Sequence, residues 1–126
     1  MTKAFKRERE RIRRVAAHWQ PVLGLEEWDL TTAYVDGQLL VDGALNPDAA
    51  ATASTRWEYR TATIQFNLEK TAQLSYRELE EVYIHEAMHL LLNELREEDH
   101  DLKHEEHAAT TLTNILLRLT KRPPTA

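Results

Sequence analysis

The chain has 126 residues, of which 42% are hydrophobic and 29% charged, enough for one soluble domain around a single core. It contains no cysteine, which excludes disulfides and thiolate metal sites, so any metal ion would need histidine and carboxylate ligands. The net charge of -5 makes nucleic acid an unexpected partner, and the absence of any membrane-length apolar stretch or signal-peptide core predicts a cytoplasmic protein without a membrane partner.

The first predicted element is an amphipathic helix over residues 3–20. Its apolar residues recur at helical spacing between arginines and glutamates, and Pro21 and Gly24 mark its end. A strand is predicted over residues 28–35, where apolar and polar side chains alternate.

The middle of the chain predicts a small, mostly antiparallel sheet. Residues 36–49 contain several turn signals and are predicted as a loop with a short strand at 39–41. Alternation then predicts strands over residues 51–59 and 61–67, which we expect to be antiparallel neighbours in a sheet of three or four strands.

Two helices complete the chain. Ser75 and Glu78 have the spacing of a capping box, which predicts the start of a helix over residues 76–95. A polar turn separates it from a last helix over residues 101–121, ended by two prolines. The predicted apolar face of that helix consists of Ala108, Ala109, Leu112, Ile115, Leu116 and Leu119.

The first of these two helices carries an H-E-x-x-H motif, His85-Glu86-Ala87-Met88-His89. Helix residues four apart lie on the same face, so the two imidazoles can hold one metal ion with Glu86 beside it. The surrounding sequence is apolar on almost all sides, which predicts a buried helix. Buried histidines and a glutamate need either a metal ion or a private hydrogen-bond network, and the pattern favours the metal.

A hydrolytic zinc site usually takes three protein ligands and a water molecule, so a third ligand is expected from the last helix. Glu105 precedes Ala108 and Ala109 by three and four positions, which places it within the apolar stripe that should face the core. Because a buried carboxylate needs a partner, this position favours Glu105 as the third ligand. The alternatives that stay open are Glu106, His104 and His107.

At these residues the chain resembles the zincin metallopeptidases, specifically the Glu-zincin group typified by thermolysin. It is similar to their minimal forms, the small phage-encoded metallopeptidases and the ImmA/IrrE-type peptidases. The specific part of the resemblance is His85, Glu86 and His89; the rest is the order of elements between about residues 60 and 119. It implies an α+β fold in which residues 1–126 form a single zincin-like domain with an N-terminal helix, a small sheet, the motif helix and a C-terminal helix.

The function implied by this resemblance is that of a zinc metallopeptidase acting on peptide or protein substrates. His85, His89 and Glu105 would hold Zn²⁺, and Glu86 would act as general base towards a metal-activated water. The strand 61–67 would form the sheet edge on which the substrate binds as an added strand. The alternative is a weakly active or inactive binding protein of the same fold, with a metal ion that is structural or missing.

Overall fold

The computed structural model describes residues 3–37, 39–41, 44–46, 48–56, 59–92 and 102–119. Helices and a small mixed sheet make up this part of the chain, which confirms the predicted α+β class. The elements in chain order are α1 (Lys3–Val22), β1 (Asp29–Val35), β2 (Leu39–Val41), β3 (Ala44–Asn46), β4 (Ala51–Arg56), β5 (Thr61–Asn67), α2 (Leu68–Thr71), α3 (Tyr76–Leu92) and α4 (Leu102–Leu119).

The main sheet has three strands in the order β1-β5-β4, so that β5 lies in the centre. β4 and β5 are antiparallel, with Ala51 opposite Phe66, which confirms the predicted pairing. β1 is parallel to β5, with Asp29 opposite Thr61, and the sheet is therefore mixed where a mostly antiparallel one was expected. The segment predicted as a loop contains a second, two-stranded antiparallel sheet formed by β2 and β3.

The core lies between one face of the main sheet and the helices. Alternate residues of β5 are buried on that face, as its sequence pattern predicts. The rings of Phe66 and Tyr83 stack with their centroids 6.2 Å apart, which joins β5 to α3. Further large side chains of the core come from α1, β5 and α3 and include Ile12, Val15, Trp19, Ile64, Leu79 and Ile84.

Polar contacts fix α1 on α3. Trp19 donates its indole N–H to the buried Glu80 carboxylate at 2.8 Å, and Gln20 donates its side-chain amide to the Tyr83 hydroxyl at 3.1 Å. The helix runs through Pro21 to Val22, two residues beyond its predicted end, and Gly24 follows with a φ of 72°. Within the described residues, no helix is both long and apolar enough to cross a membrane.

Asn67 joins three segments at the end of β5. Its side-chain oxygen accepts hydrogen bonds from the backbone N–H groups of Gly37 and Glu69, and the second of these caps α2. Its side-chain nitrogen donates to the carbonyls of Gly37 and Ala49, and its backbone N–H donates to the carbonyl of Ala50. This wholly buried asparagine therefore fixes the start of β4, which borders the candidate site described below.

The buried face of α4 differs in part from the predicted one: Ala109 is buried and Leu116 packs against the core as predicted, whereas other residues do not. The fully buried residues of the described helix follow a four-residue spacing: Glu105, Ala109, Thr113 and Leu117. Leu112, Ile115 and Leu119, which were expected in the core, are 37%, 43% and 74% exposed. Thr113 can take a core position because its hydroxyl donates to the carbonyl of Ala109 at 2.7 Å, so that no polar group is left without a partner.

Candidate metal centre

The candidate site is built on α3, whose start is the predicted capping box. The backbone N–H of Glu78 donates to the Ser75 hydroxyl at 3.1 Å, and the backbone N–H of Ser75 donates to the Glu78 carboxylate at 2.9 Å. Much of the helix is buried, whereas His85, Glu86 and His89 are half-buried. The motif therefore lies where the core of the protein meets a solvent-accessible surface.

The two histidine rings lie together, as their four-residue spacing predicts. Their centroids are 4.8 Å apart, and the Nε2 atom of His85 is 3.2 Å from the Nε2 atom of His89. Because a neutral imidazole has one nitrogen that donates and one that accepts, two Nε2 lone pairs directed at each other would repel. A hydrogen bond between the rings or a shared cation would relieve this repulsion.

The third group at this position is Glu106, from α4. One of its carboxylate oxygens lies 2.8 Å from Nε2 of His89, and the other lies 3.2 Å from Nε2 of His85. In the described part of the chain, His85, His89 and Glu106 offer three ligand atoms within 4.8 Å of one another. Two imidazoles and a carboxylate form a donor set that suits zinc in a catalytic site.

The distances within this group fit a single ion. Zinc bonds of 2.0–2.1 Å in a tetrahedral arrangement place neighbouring ligand atoms about 3.3 Å apart. Here the two Nε2 atoms are 3.2 Å apart, one Glu106 oxygen lies 2.8 Å from Nε2 of His89, and the other Glu106 oxygen lies 3.2 Å from Nε2 of His85. A rotation of the carboxylate that turns one oxygen towards both nitrogens would complete one face of such a tetrahedron. The fourth position of that tetrahedron would then be left for a non-protein ligand.

Glu105, the residue favoured as third ligand from the sequence, lies at a different position. It is 1% exposed, so its expected place on the buried face of α4 is confirmed. Its carboxylate lies 2.7 Å from Nδ1 of His89, on the side of the ring opposite to the nitrogen that faces His85 and Glu106. Neighbouring residues of a helix differ in direction by about 100°, which allows Glu105 and Glu106 to approach the same ring from its two sides.

Glu86 lies beside this group. Its burial raises the pKa of the Glu86 carboxyl to about 7, because the charged form loses hydration. The neighbouring His89 lowers this pKa and the Glu106 carboxylate raises it further. The motif thus places a carboxyl group next to the candidate metal ligands, as its pattern predicts.

A cleft of about 420 Å³ opens next to His85 and Glu86. Its walls come from α3, from α4 and from the start of β4, and they include Val82, Thr113 and Ala51. The contribution of α4 and β4 to this cleft is not predicted from the sequence. No motif marks these small and polar residues, and only the packing of the three elements brings them together.

The strand predicted to bind substrate at the edge of the sheet is not an edge strand, so this prediction is wrong. β5 (Thr61–Asn67) is the central strand and pairs with β1 on one side and β4 on the other, so it has no free edge. Within the described residues, β4 pairs only with β5 and is an edge strand. Ala51 is both the first residue of β4 and part of the cleft wall, so the available edge begins at the site.

The histidines proposed as alternative ligands are not part of the group that the described residues form. His107 is exposed on α4 and does not belong to this cluster. The side chain of His104 lies outside the described residues. Comparison of the chain with models of known protein families, with curated proteins and with solved structures finds no match, so the geometry of the site is the basis for inferring its function.

Proposed function

We propose that this protein is a zinc-dependent metallopeptidase. The observation that carries the proposal is the convergence of His85, His89 and Glu106 at one point, beside a carboxyl group and an open cleft. Zinc bound by these three residues would supply a Lewis acid that acidifies water and polarises a peptide carbonyl. The resemblance to zincin peptidases noted from the sequence agrees with this chemistry.

In this proposal Glu86 acts as the general base and then as the general acid. It takes a proton from the attacking water and transfers that proton to the leaving nitrogen as the peptide bond breaks. Its position next to His85 in the sequence and in the cleft wall supports this role. Glu106 replaces Glu105 as the proposed third ligand because its oxygens, and not those of Glu105, face both Nε2 atoms.

The edge of β4 supports a peptide as the substrate. An extended peptide can pair with an unpartnered strand edge through main-chain hydrogen bonds, and this mode of binding does not depend on side-chain sequence. Because Ala51 belongs to both the edge and the cleft, a peptide paired with β4 would pass the metal ligands. A cytoplasmic location is part of the proposal.

The test combines metal analysis with cleavage assays. Protein purified without added metal should hold about one equivalent of zinc, and His85→Ala should lose it, whereas the exposed His107→Ala should keep it. Glu86→Gln should keep the zinc and lose cleavage of casein and of mixed quenched fluorescent peptides. Glu26→Gln, which removes an exposed glutamate outside the site, is the matched control and should remain active.

Two results would reject parts of this proposal. Unchanged cleavage by Glu86→Gln would reject Glu86 as the catalytic base. Wild-type protein that binds zinc tightly but cleaves neither casein nor the peptides would reject the peptidase and favour the alternative of a binding protein with a structural metal.

A further inference from the structure

Glu105 is a buried carboxylate for which the proposed reaction has no direct use. It is 1% exposed, whereas the side chain of its neighbour Glu106 is 55% exposed. An ionised carboxylate without compensating hydrogen bonds is unstable in such surroundings, so its position requires specific partners. One of these partners is the ring of His89, whose Nδ1 atom lies 2.7 Å from the Glu105 carboxylate.

The chemistry of the two groups determines which atom carries the proton. An ionised carboxylate only accepts hydrogen bonds, whereas a neutral imidazole has one N–H and one nitrogen with a free lone pair. Carboxylate oxygens lie close to both ring nitrogens, that of Glu105 2.7 Å from Nδ1 and that of Glu106 2.8 Å from Nε2. When a metal ion occupies the place beside Nε2, the Glu105 carboxylate accepts the hydrogen bond of the ring proton, which is then on Nδ1. The lone pair is then on Nε2, the atom of His89 that faces His85 and Glu106.

We infer that Glu105 is a positioning residue that holds His89 in the Nδ1–H tautomer and in the ring orientation needed to bind a metal ion through Nε2. This inference rests on the proposed metal site and adds to it the residue that prepares one of its ligands. A carboxylate hydrogen-bonded to the far nitrogen of a metal-binding histidine also makes the ligating nitrogen more basic. Glu105 thus acts on the metal ion through His89 without touching it.

Burial distinguishes the roles of the two carboxylates. Glu106 lies at the surface, where its carboxylate is free to turn towards an ion as the ion binds. Glu105 is enclosed by protein, so the orientation it gives the His89 ring is fixed before any ion binds. A ligand set arranged in this way loses less conformational freedom on binding the ion.

The first test measures zinc affinity by competition with a chromophoric chelator. Glu105→Ala should weaken zinc binding by about 10- to 100-fold, the range found for groups that hold metal-binding histidines. Glu105→Gln conserves the shape and one hydrogen-bond acceptor but removes the charge, and its affinity should be intermediate. Thr71→Val is the matched control, because it removes a buried hydroxyl from α2, outside the cleft and the candidate metal ligands. Unchanged affinity in both Glu105 variants would overturn the inference.

The second test requires no metal ion. NMR of the ring nitrogens of metal-free Glu106→Ala, at about pH 9 where a free imidazole is neutral, reports the tautomer of His89 without a competing carboxylate at Nε2. We expect the proton on Nδ1, and we expect this preference to weaken when Glu105→Ala is added. A proton on Nε2 in Glu106→Ala would overturn the inference. If wild-type protein binds no zinc, the proposed function fails while this measurement still decides the role of Glu105.

Discussion

Asn67→Ala tests whether one buried side chain fixes the start of β4 and with it the wall of the cleft. The substitution removes four hydrogen bonds of 3.0 to 3.3 Å, two with Gly37 and one each with Ala49 and Glu69. At about 1 kcal/mol of net stability for each bond, their joint contribution is about 4 kcal/mol. Because Gly37 is half-buried, water will replace part of this loss, and we expect the free energy of unfolding to fall by about 3 kcal/mol.

Asn67→Asp provides a sharper version of the same test, because it keeps the shape and the acceptor but loses the amide donor. The carbonyls of Gly37 and Ala49 would then face a carboxylate oxygen. This contact disfavours the ionised form, so the pKa of the new carboxyl should be raised in the folded state. The loss of stability caused by ionisation of this carboxyl is absent below its pKa in the unfolded chain, about 3.9. It grows as the pH rises through the pKa of the carboxyl in the folded protein.

Urea unfolding followed by circular dichroism measures both variants. Gln73→Ala is the control, because it removes a single exposed hydrogen bond to the carbonyl of Glu69 and should change stability by less than about 0.5 kcal/mol. A loss below about 1 kcal/mol in Asn67→Ala would refute the reasoning, since it would mean that the four bonds are replaced by water without cost. An Asn67→Asp variant equally unstable at about pH 4 and pH 7 would refute the electrostatic part.

Three further predictions concern the capping box, the exposed face of α4 and the metal. Ser75→Ala should lower the free energy of unfolding by about 1 kcal/mol, measured in urea. Hydrogen bonds from the backbone and hydroxyl of Ser75 lower the pKa of Glu78 in the folded state. The Glu78 carboxylate therefore stabilises the fold above the unfolded pKa of 4.5, and this stabilisation is lost as the pH falls through the folded-state pKa. The difference in unfolding free energy between wild type and Glu78→Ala should shrink over that range in an acid titration. Replacing Leu112 and Ile115 together with lysine should leave the melting temperature within a few degrees of wild type, and a large fall would show that this face is covered. Zinc at about 100 times its dissociation constant should raise the free energy of unfolding by about 2.7 kcal/mol, and His85→Ala should abolish this increase.

Features encoded by local sequence were the ones that could be predicted. The capping box of Ser75 and Glu78, the helical face of α1 and the alternation in β5 each depend on residues a few positions apart. The direction of β1 relative to β5 was not predictable in this way. Alternation identifies which side chains share a face of a strand but not whether its neighbour runs parallel or antiparallel, and these two strands are far apart in the sequence.

The exposed apolar residues of α4 show a second limit of sequence patterns. Hydrophobicity placed Leu112 and Ile115 in the core, but the helix is turned so that Thr113 is buried in their place. A threonine can replace an apolar residue when its hydroxyl bonds to the preceding turn of its own helix, as Thr113 does with Ala109. A hydropathy pattern counts the hydroxyl as polar and cannot take this internal bond into account.

A related limit applies to the third metal ligand, for which the sequence favours Glu105 and the proposed site uses Glu106. Helical spacing identifies the carboxylate that faces the core, and Glu105 does so. A metal ion that must meet a substrate, however, lies at the boundary between core and solvent, so its ligands should come from the edge of the buried face. Glu106 is displaced from Glu105 by about 100° around the helix axis, which places it at that edge, next to Nε2 of His89. Glu105 lies at the centre of the buried face and contacts Nδ1 of His89. In a pair of adjacent acidic residues following such a motif, we therefore expect the half-exposed member to bind the ion and the buried member to orient a histidine.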